Sequence, residues 1–303
     1  MYLDGNAAFA ATVRIGTPLL FAGLGEVLLE RSGLINIGIE GVMLAGAFSG
    51  FFASWYCQSP LVGALAGMIG GALIMLIFAA LVLRFSADQI VTGMAVNLVA
   101  LGLTGTAWMR LSREAFAAPT FKTLETSLPG WSNVPVLGPL IFAQTPLTWL
   151  ALASIFGVWY YLERSERGLE LRAVGENPAA AEASGVSVLR CRWKACVAAG
   201  MFCGLGGAFL TISQTASFAP NCTKGRGFVA LAAVVLGRYG AFGTAAACLF
   251  FGAAFYARDA LPSQSLAPDL IEMLPYALTL IALCMKSQKR TAPAALGKPY
   301  GSN

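Results

Sequence analysis

The sequence predicts an all-α polytopic membrane protein with about eight to nine transmembrane segments, some of them broken or re-entrant. Composition is the first ground. Of 303 residues, 57% are hydrophobic and only 12% charged, with a mean hydropathy of +0.70; soluble domains average about 25% charged residues. Apolar runs near the ~20 residues that span a bilayer recur along the whole chain. Thirty-four glycines supply the small contact residues that let helices approach closely in lipid.

The first apolar run, 10–29, contains Thr17-Pro18 and Glu26. No Lys or Arg occurs in the first 13 residues, so the run is expected to remain as an anchor instead of being cleaved as a signal peptide. Glu30 to Gly41 then alternates glycine and polar residues with apolar ones, and a second run covers 42–56. Pro60 opens a third helix to 83, and a fourth, 89–109, follows Arg84 and Asp88. Residues 110–145, with four prolines and mixed charge, read as a long extracytoplasmic loop. Pro146 starts a fifth helix to 162, and 194–213 forms a sixth. Beyond a polar linker, Gln214 to Arg226, come a short run, 227–237, a turn at Arg238-Tyr239-Gly240, a longer run, 241–257, and a last helix, 270–285. The Pro/Gly/Ala-rich tail, 291–303, is predicted to be disordered.

Lys/Arg asymmetry sets the orientation. With the stretch around 164–194 and the C-terminus in the cytoplasm, 13 of the 20 Lys and Arg residues lie inside and 7 outside. The N-terminus then lies outside. At 1.5 Å per residue, the 11 residues of 227–237 fall well short of ~30 Å of hydrocarbon. They are expected to form a short or re-entrant helix paired with 241–257.

Between the fifth and sixth helices lies a polar island, Gly168 to Gly185, flanked by Arg164, Arg167, Arg190, Arg192 and Lys194. Asn177 can N-cap a short helix, Pro178 suits its first position, and Gly185 suits a left-handed stop. The alanines between them would present a small-residue surface that another protein can approach closely.

Irregular glycine-rich backbone survives at membrane depth only inside protein or along a water-filled path. Two such stretches exist, Ser32 to Gly41 and Lys224 to Gly243, each leading into a short apolar segment, the pattern of transport sites built from broken helices. Asn36 and Glu40 in the first stretch are candidate path residues. So are Gln89, Thr92 and Asn97, which share one face of the fourth helix with Gly93. Helix–helix hydrogen bonding is the alternative role for that face. A charge at the membrane centre costs roughly 2.5–3.5 kcal/mol, so Glu26 and Glu40 either line the path or serve the structure, by capping a broken helix or pairing with Arg31.

Other chemistry lacks its residues. The sequence has no histidine, the usual general base and commonest metal ligand, and no nucleophile–base set, so no catalytic residues or metal site are assigned. The seven cysteines include no Cys-x-x-Cys and read as small buried hydrophobes. Basic residues spread over loops give no nucleic-acid footprint. No Gly-x-x-x-x-Gly-Lys-Ser/Thr loop is present, so ATP hydrolysis is not expected of this chain.

Several stretches resemble one family. Leu171-Arg172-Ala173-Val174-Gly175-Glu176-Asn177-Pro178 with Ala179-Ala180 and Gly185 is similar to the cytoplasmic coupling loop of ABC-transporter permeases of the branched-chain amino acid, ribose and nucleoside type. The stretches from Thr17 to Glu26 and from Glu30 to Gly41 resemble the opening signature of the nucleoside branch. Asn97 to Thr104 and Gly225 to Ala232 also match that branch, whereas Arg238-Tyr239 stands where a basic residue followed by Trp is more usual. The resemblance covers residues 12–285.

It implies a single permease domain over 1–290, with 163–193 as the coupling loop, in the bacterial cytoplasmic membrane. Gly175, Glu176, Asn177, Pro178, Ala179, Ala180 and Gly185 would meet a cytoplasmic ATPase that binds the ATP and Mg. No cofactor is expected in this chain. A homologous second permease and an extracytoplasmic substrate-binding lipoprotein would complete an importer for a small polar solute, nucleosides or purines by branch resemblance. Sugars stay open as substrates, and an ion-coupled secondary transporter using Glu26 or Glu40 is the rival mechanism.

Overall fold

The computed structural model describes residues 5–111, 118–121, 144–260, 277 and 292–298, and no strand occurs among them. Ten helices follow in order: α1 (Gly5–Glu30), α2 (Ile39–Cys57), α3 (Pro60–Ala79), α4 (Gln89–Leu111), α5 (Pro146–Arg164), α6 (Glu166–Glu176), α7 (Pro178–Ala183), α8 (Val188–Phe209), α9 (Arg226–Leu236) and α10 (Ala241–Ala260). Short π-helical turns, Ala80–Arg84 and Leu210–Thr215, extend α3 and α8. Among the described residues, five segments are long and apolar enough to cross a membrane: Ala8–Glu30, Pro60–Arg84, Gln89–Leu111, Val188–Thr215 and Ala241–Ala260. The chain is a multi-pass membrane protein. The expected last helix, 270–285, and most of the loop 110–145 lie outside the described residues.

α1 is the central post, packed against α5, α8, α9 and α10. Leu19, Leu20, Phe21, Leu24, Val27 and Leu29 on it are fully buried. Pro18 inside α1 has no N–H to give the carbonyl of Arg14. Gln214 Nε2 donates to that carbonyl instead, at 3.0 Å, so a residue 200 positions away repairs the proline gap.

A glycine seam joins α2, α3 and α8. Backbones meet directly where Gly46 faces Gly204, Gly71 faces Gly200, and Gly204 faces Gly67. A Cβ at Gly46, Gly71, Gly200 or Gly204 would collide with backbone atoms of the neighbouring helix, which cannot move aside as a side chain can, and one at Gly67 would meet the Cβ of Ala208. In lipid, where helix association rests on packing and not on water exclusion, such close approach supplies the contact.

Helix boundaries follow the apolar runs to within a few residues except at α8, which begins at Val188, not 194. Arg190, Arg192 and Lys194 therefore sit on its first turns. The tail corrects another expectation, because residues 292–298 are not disordered. They form turns in which the Ala295 amide donates to the carbonyl of Gly175 at 2.9 Å and the Gly297 amide to that of Gly33 at 3.0 Å. Ala295 is buried and Leu296 packs on the core, so short apolar side chains and backbone bonds hold this segment.

The seam yields a prediction. Gly204→Leu should cost about 1–3 kcal/mol by overpacking and lower the thermal midpoint of the detergent-solubilised protein. Gly157→Leu, whose added atoms enter open space, should leave the midpoint unchanged. Equal midpoints for both variants and wild type would show that the seam is not a close-packed contact.

Candidate functional site

The two glycine-rich stretches meet in space. After α1 the chain turns at Arg31–Gly33, with Gly33 in the left-handed region at φ 86°, and runs back non-helically to Ile39. Past the turn the helical ladder is interrupted, so side chains serve the backbone there. Glu26 Oε1 accepts from the Asn36 amide at 3.2 Å, and Asn36 Oδ1 accepts from the Gly38 amide at 2.7 Å. Gln89 Oε1 accepts from the Ile35 amide at 2.8 Å. Asn97 Oδ1 accepts from the Gly41 amide at 2.7 Å while its Nδ2 donates to the Ile37 carbonyl at 3.0 Å. The polar face of α4 thus binds the broken stretch, in the helix–helix role weighed above. Thr92 is buried on that face with no side-chain hydrogen bond among the described residues.

Glu40 joins this stretch to the second one. Its Oε1 accepts from the Gly225 amide at 2.6 Å and its Oε2 from the Gly227 amide at 2.7 Å, one carboxylate capping the start of α9. The first N–H groups of a helix have no intrahelical acceptor and carry partial positive charge, so a carboxylate suits them on both counts. Gly227 lies so close that an added Cβ would sit 2.6 Å from the Glu40 amide nitrogen. Neither Glu26 nor Glu40 has an ion pair among the described residues. Arg31 Nε instead donates to the Tyr239 carbonyl at 2.8 Å.

These contacts fix the depth of the break. Arg31–Tyr239 marks one end of α9 and Glu40–Gly225 the other, and 11 residues at 1.5 Å each span ~16 Å. Gln89 and Asn97, which bind successive parts of the first stretch, stand ~12 Å apart along α4 by the same rise. α2 and α9 therefore both begin well inside the bundle. α9 is a half-length helix, preceded by the irregular residues 216–225.

The island forms a separate surface at the Arg31 end. Ser165 caps α6 by accepting from the Gly168 amide at 3.0 Å, and Asn177 Oδ1 caps α7 by accepting from the Ala180 amide at 3.1 Å. Pro178 takes the first helical position, and Gly185, at φ 88°, follows the last turn. Glu176, Asn177, Ala179, Ala180 and Gly185 are exposed and Pro178 half-buried, while Ala181 anchors α7 on Val174 and Val188. Gly175 differs from the rest of its group. It is buried with its backbone pressed on the Arg31 carbonyl, and it accepts the bond from the tail. The Glu176 carboxylate takes the Ala294 amide at 3.2 Å.

Around Arg31 charge is dense. Burial draws its pKa below the ordinary value, the Glu163 carboxylate opposes that, Arg172 adds to it and Glu176 opposes it again. Arg172 and Glu163 pair at 3.2 Å. Sequence reasoning missed Arg192, 1% exposed, whose Nε donates to the Ser32 carbonyl at 3.2 Å. Its only signal was a cation on the buried side of an apolar helix. Among the described residues no three metal-ligand side chains converge, and Cys196, Cys203 and Cys248 are buried free thiols.

Residues 8–283 match the family described as branched-chain amino acid transport system / permease component. The chain is 36% identical to a guanosine ABC transporter permease protein of Bacillus subtilis, over 96% of this chain and 95% of the relative. A nucleoside ABC transporter permease protein of Lactococcus lactis is 33% identical, over 94% and 93%. A putative glucose ABC transporter permease protein of Haloferax volcanii is 36% identical over 76% of this chain and 70% of its own length.

Removing the Glu40 carboxylate leaves the buried Gly227 amide without its acceptor, at about 1–3 kcal/mol, and the half-buried Gly225 amide as well. Glu40→Ala should therefore speed hydrogen exchange in residues 225–231 relative to wild type, with α10 unchanged. Unaltered exchange in that segment would mean that α9 does not depend on the cap.

Proposed function

The chain belongs to the branched-chain amino acid transport system permease family, and from that membership we propose that it is a permease subunit of a bacterial ABC importer, carrying nucleosides. Near full-length kinship with the guanosine relative carries this reading. The site supports it, since two helices that start inside the bundle are the arrangement from which transport paths are made. Asn36, Glu40, Gln89 and Asn97 shape that path by fixing the broken stretch beside it, with Thr92 on the same buried face and Glu26 as a brace. An ion-coupled mechanism is not favoured, because Glu26 and Glu40 both serve as acceptors for backbone amides.

In this proposal the exposed side of α7 receives a cytoplasmic ATPase that binds the ATP and Mg. Its movement passes through α6 and Gly175 to the Arg31 turn. From there it reaches Tyr239 at one end of α9 and the stretch that carries Glu40 at the other, so the ends of the path open in alternation. The island, the Arg31 turn, the 237–240 turn and the C-terminal tail share one end of the bundle, which supports placing all four in the cytoplasm and the N-terminus outside. A second homologous permease and an extracytoplasmic binding lipoprotein complete the assembly, and the exposed apolar stripe Leu61, Leu65, Ile69, Leu73 and Ile77 on α3 supplies a face for the bilayer.

Reconstituting the full complex and following labelled guanosine tests the reading, with labelled glucose beside it because one relative bears that substrate in its name. ATP-dependent guanosine uptake is expected. Ala180→Trp on the exposed face of α7 should lower it about tenfold or more, a loss of ~1.4 kcal/mol, with the permease still inserted. Uptake that persists without ATP would end the importer reading, and uptake of glucose alone would end the nucleoside assignment.

A further inference from the structure

α5 and α8 both lean on α1 and leave a groove between them, a cavity of about 630 Å³. Its deeper wall is apolar, formed by Leu28, Val158, Ala195, Ala198 and Phe202. Gly157 also lines it, with no atom within 4 Å of where its Cβ would stand. The mouth, at the island end, is cationic, with Arg167 from the start of α6 and Arg190 and Lys194 from the first turns of α8. All three are exposed, and none has a hydrogen bond or ion pair among the described residues. Glu170 is the one carboxylate on the described lining, which leaves an excess of two positive charges there. The amino end of α8 joins the same mouth through Ser187, whose side chain does not cap the helix, so its first amides add to the positive field.

We propose that this groove binds an anionic phospholipid, its phosphate held by Arg167, Arg190 and Lys194 and an acyl chain laid along α5 and α8 past Gly157. Each half of the groove argues for a different half of the ligand. Basic pockets between helices at the membrane surface suit anionic headgroups. A soluble phosphate would satisfy the cations but has no use for the apolar wall beneath them. An acyl chain gains about 0.8 kcal/mol per buried methylene from such a wall only when its alternative is water, so within a bilayer the charge provides the selectivity and the groove the fit. The site lies beside the junction of α5 with α6 at Ser165, so an occupied groove would tie the setting of the island to the lipid around it. The proposal goes beyond the transport reading and depends on neither the substrate nor the ATPase.

The test is native mass spectrometry of the full-length chain in detergent with equal phosphatidylglycerol and phosphatidylcholine. Wild type should retain phosphatidylglycerol over phosphatidylcholine by about tenfold, ~1.4 kcal/mol of preference. The triple variant Arg167→Gln, Arg190→Gln, Lys194→Gln should lose the preference. Gly157→Leu keeps every charge and fills only open space, so it should fold as wild type and also lose the lipid. Equal retention of the two lipids by wild type would overturn the proposal, as would phosphatidylglycerol retention that survives either variant. Displacement of the bound species by millimolar inorganic phosphate would overturn it too, and would mark a site for a soluble anion.

Discussion

Backbone amides released inside an apolar bundle must find acceptors, and this requirement governs the middle of the molecule. Away from water, each unmatched N–H is costly, yet α2 and α9 both begin there. The sequence meets the demand with a small set of side-chain oxygens. Glu26, Asn36, Gln89 and Asn97 serve the stretch before and into α2, and Glu40 serves the start of α9. Because Glu40 itself stands in the first turn of α2, the two breaks are not independent. One carboxylate makes the position of each helix start a condition of the other. Residues that composition alone marks as an expense inside a membrane are what permits the irregular backbone to exist.

Around that polar centre the helices are held by the absence of side chains. Gly46, Gly71 and Gly204 let α2, α3 and α8 touch backbone to backbone, and the contact shifts little because no rotamer can relax it. The outer faces are different. α3 presents leucine and isoleucine at four-residue spacing, and these remain exposed. Tight seam and greasy exterior together make a rigid frame in which a half-length helix such as α9 can be suspended at both ends, by Glu40 at one and by the Arg31–Tyr239 bond at the other.

Much of this was legible in the sequence because its signals are local. Asn177, Pro178 and Gly185 spell a cap, a first turn and a left-handed stop, and α7 has all three. The glycine and polar content of 32–41 and 224–243 announced broken backbone, and the shortness of 227–237 announced a helix too brief to cross alone. Pairings across the fold were not legible. Nothing near Glu40 names Gly225 and Gly227 as its partners, and the expected partner, Arg31, reaches a carbonyl instead. Gly175 read as part of the exposed coupling surface since its neighbours are, yet its lack of a side chain serves a buried contact. The tail, rich in Pro, Gly and Ala, gave no sign of order because backbone amides, common to every sequence, make its bonds. The early start of α8 was hidden by its own cations, whose charge resembles a loop while their spacing fits a helix.

The contact between Gly175 and Arg31 has a mechanical meaning. Interfaces made of long side chains are compliant, since a push on one side is absorbed by changes of rotamer before the other side moves. Here the backbone of α6 rests on the carbonyl of the turn that ends α1, and the tail closes over both with bonds to Gly175 and Gly33. There is no cushion in that joint and no slack. Such a joint favours neither direction, because the segment 292–298 is bonded to both parts. The chain is built at this point as a pinned strut, with backbone on backbone where a hinge of side chains would give way.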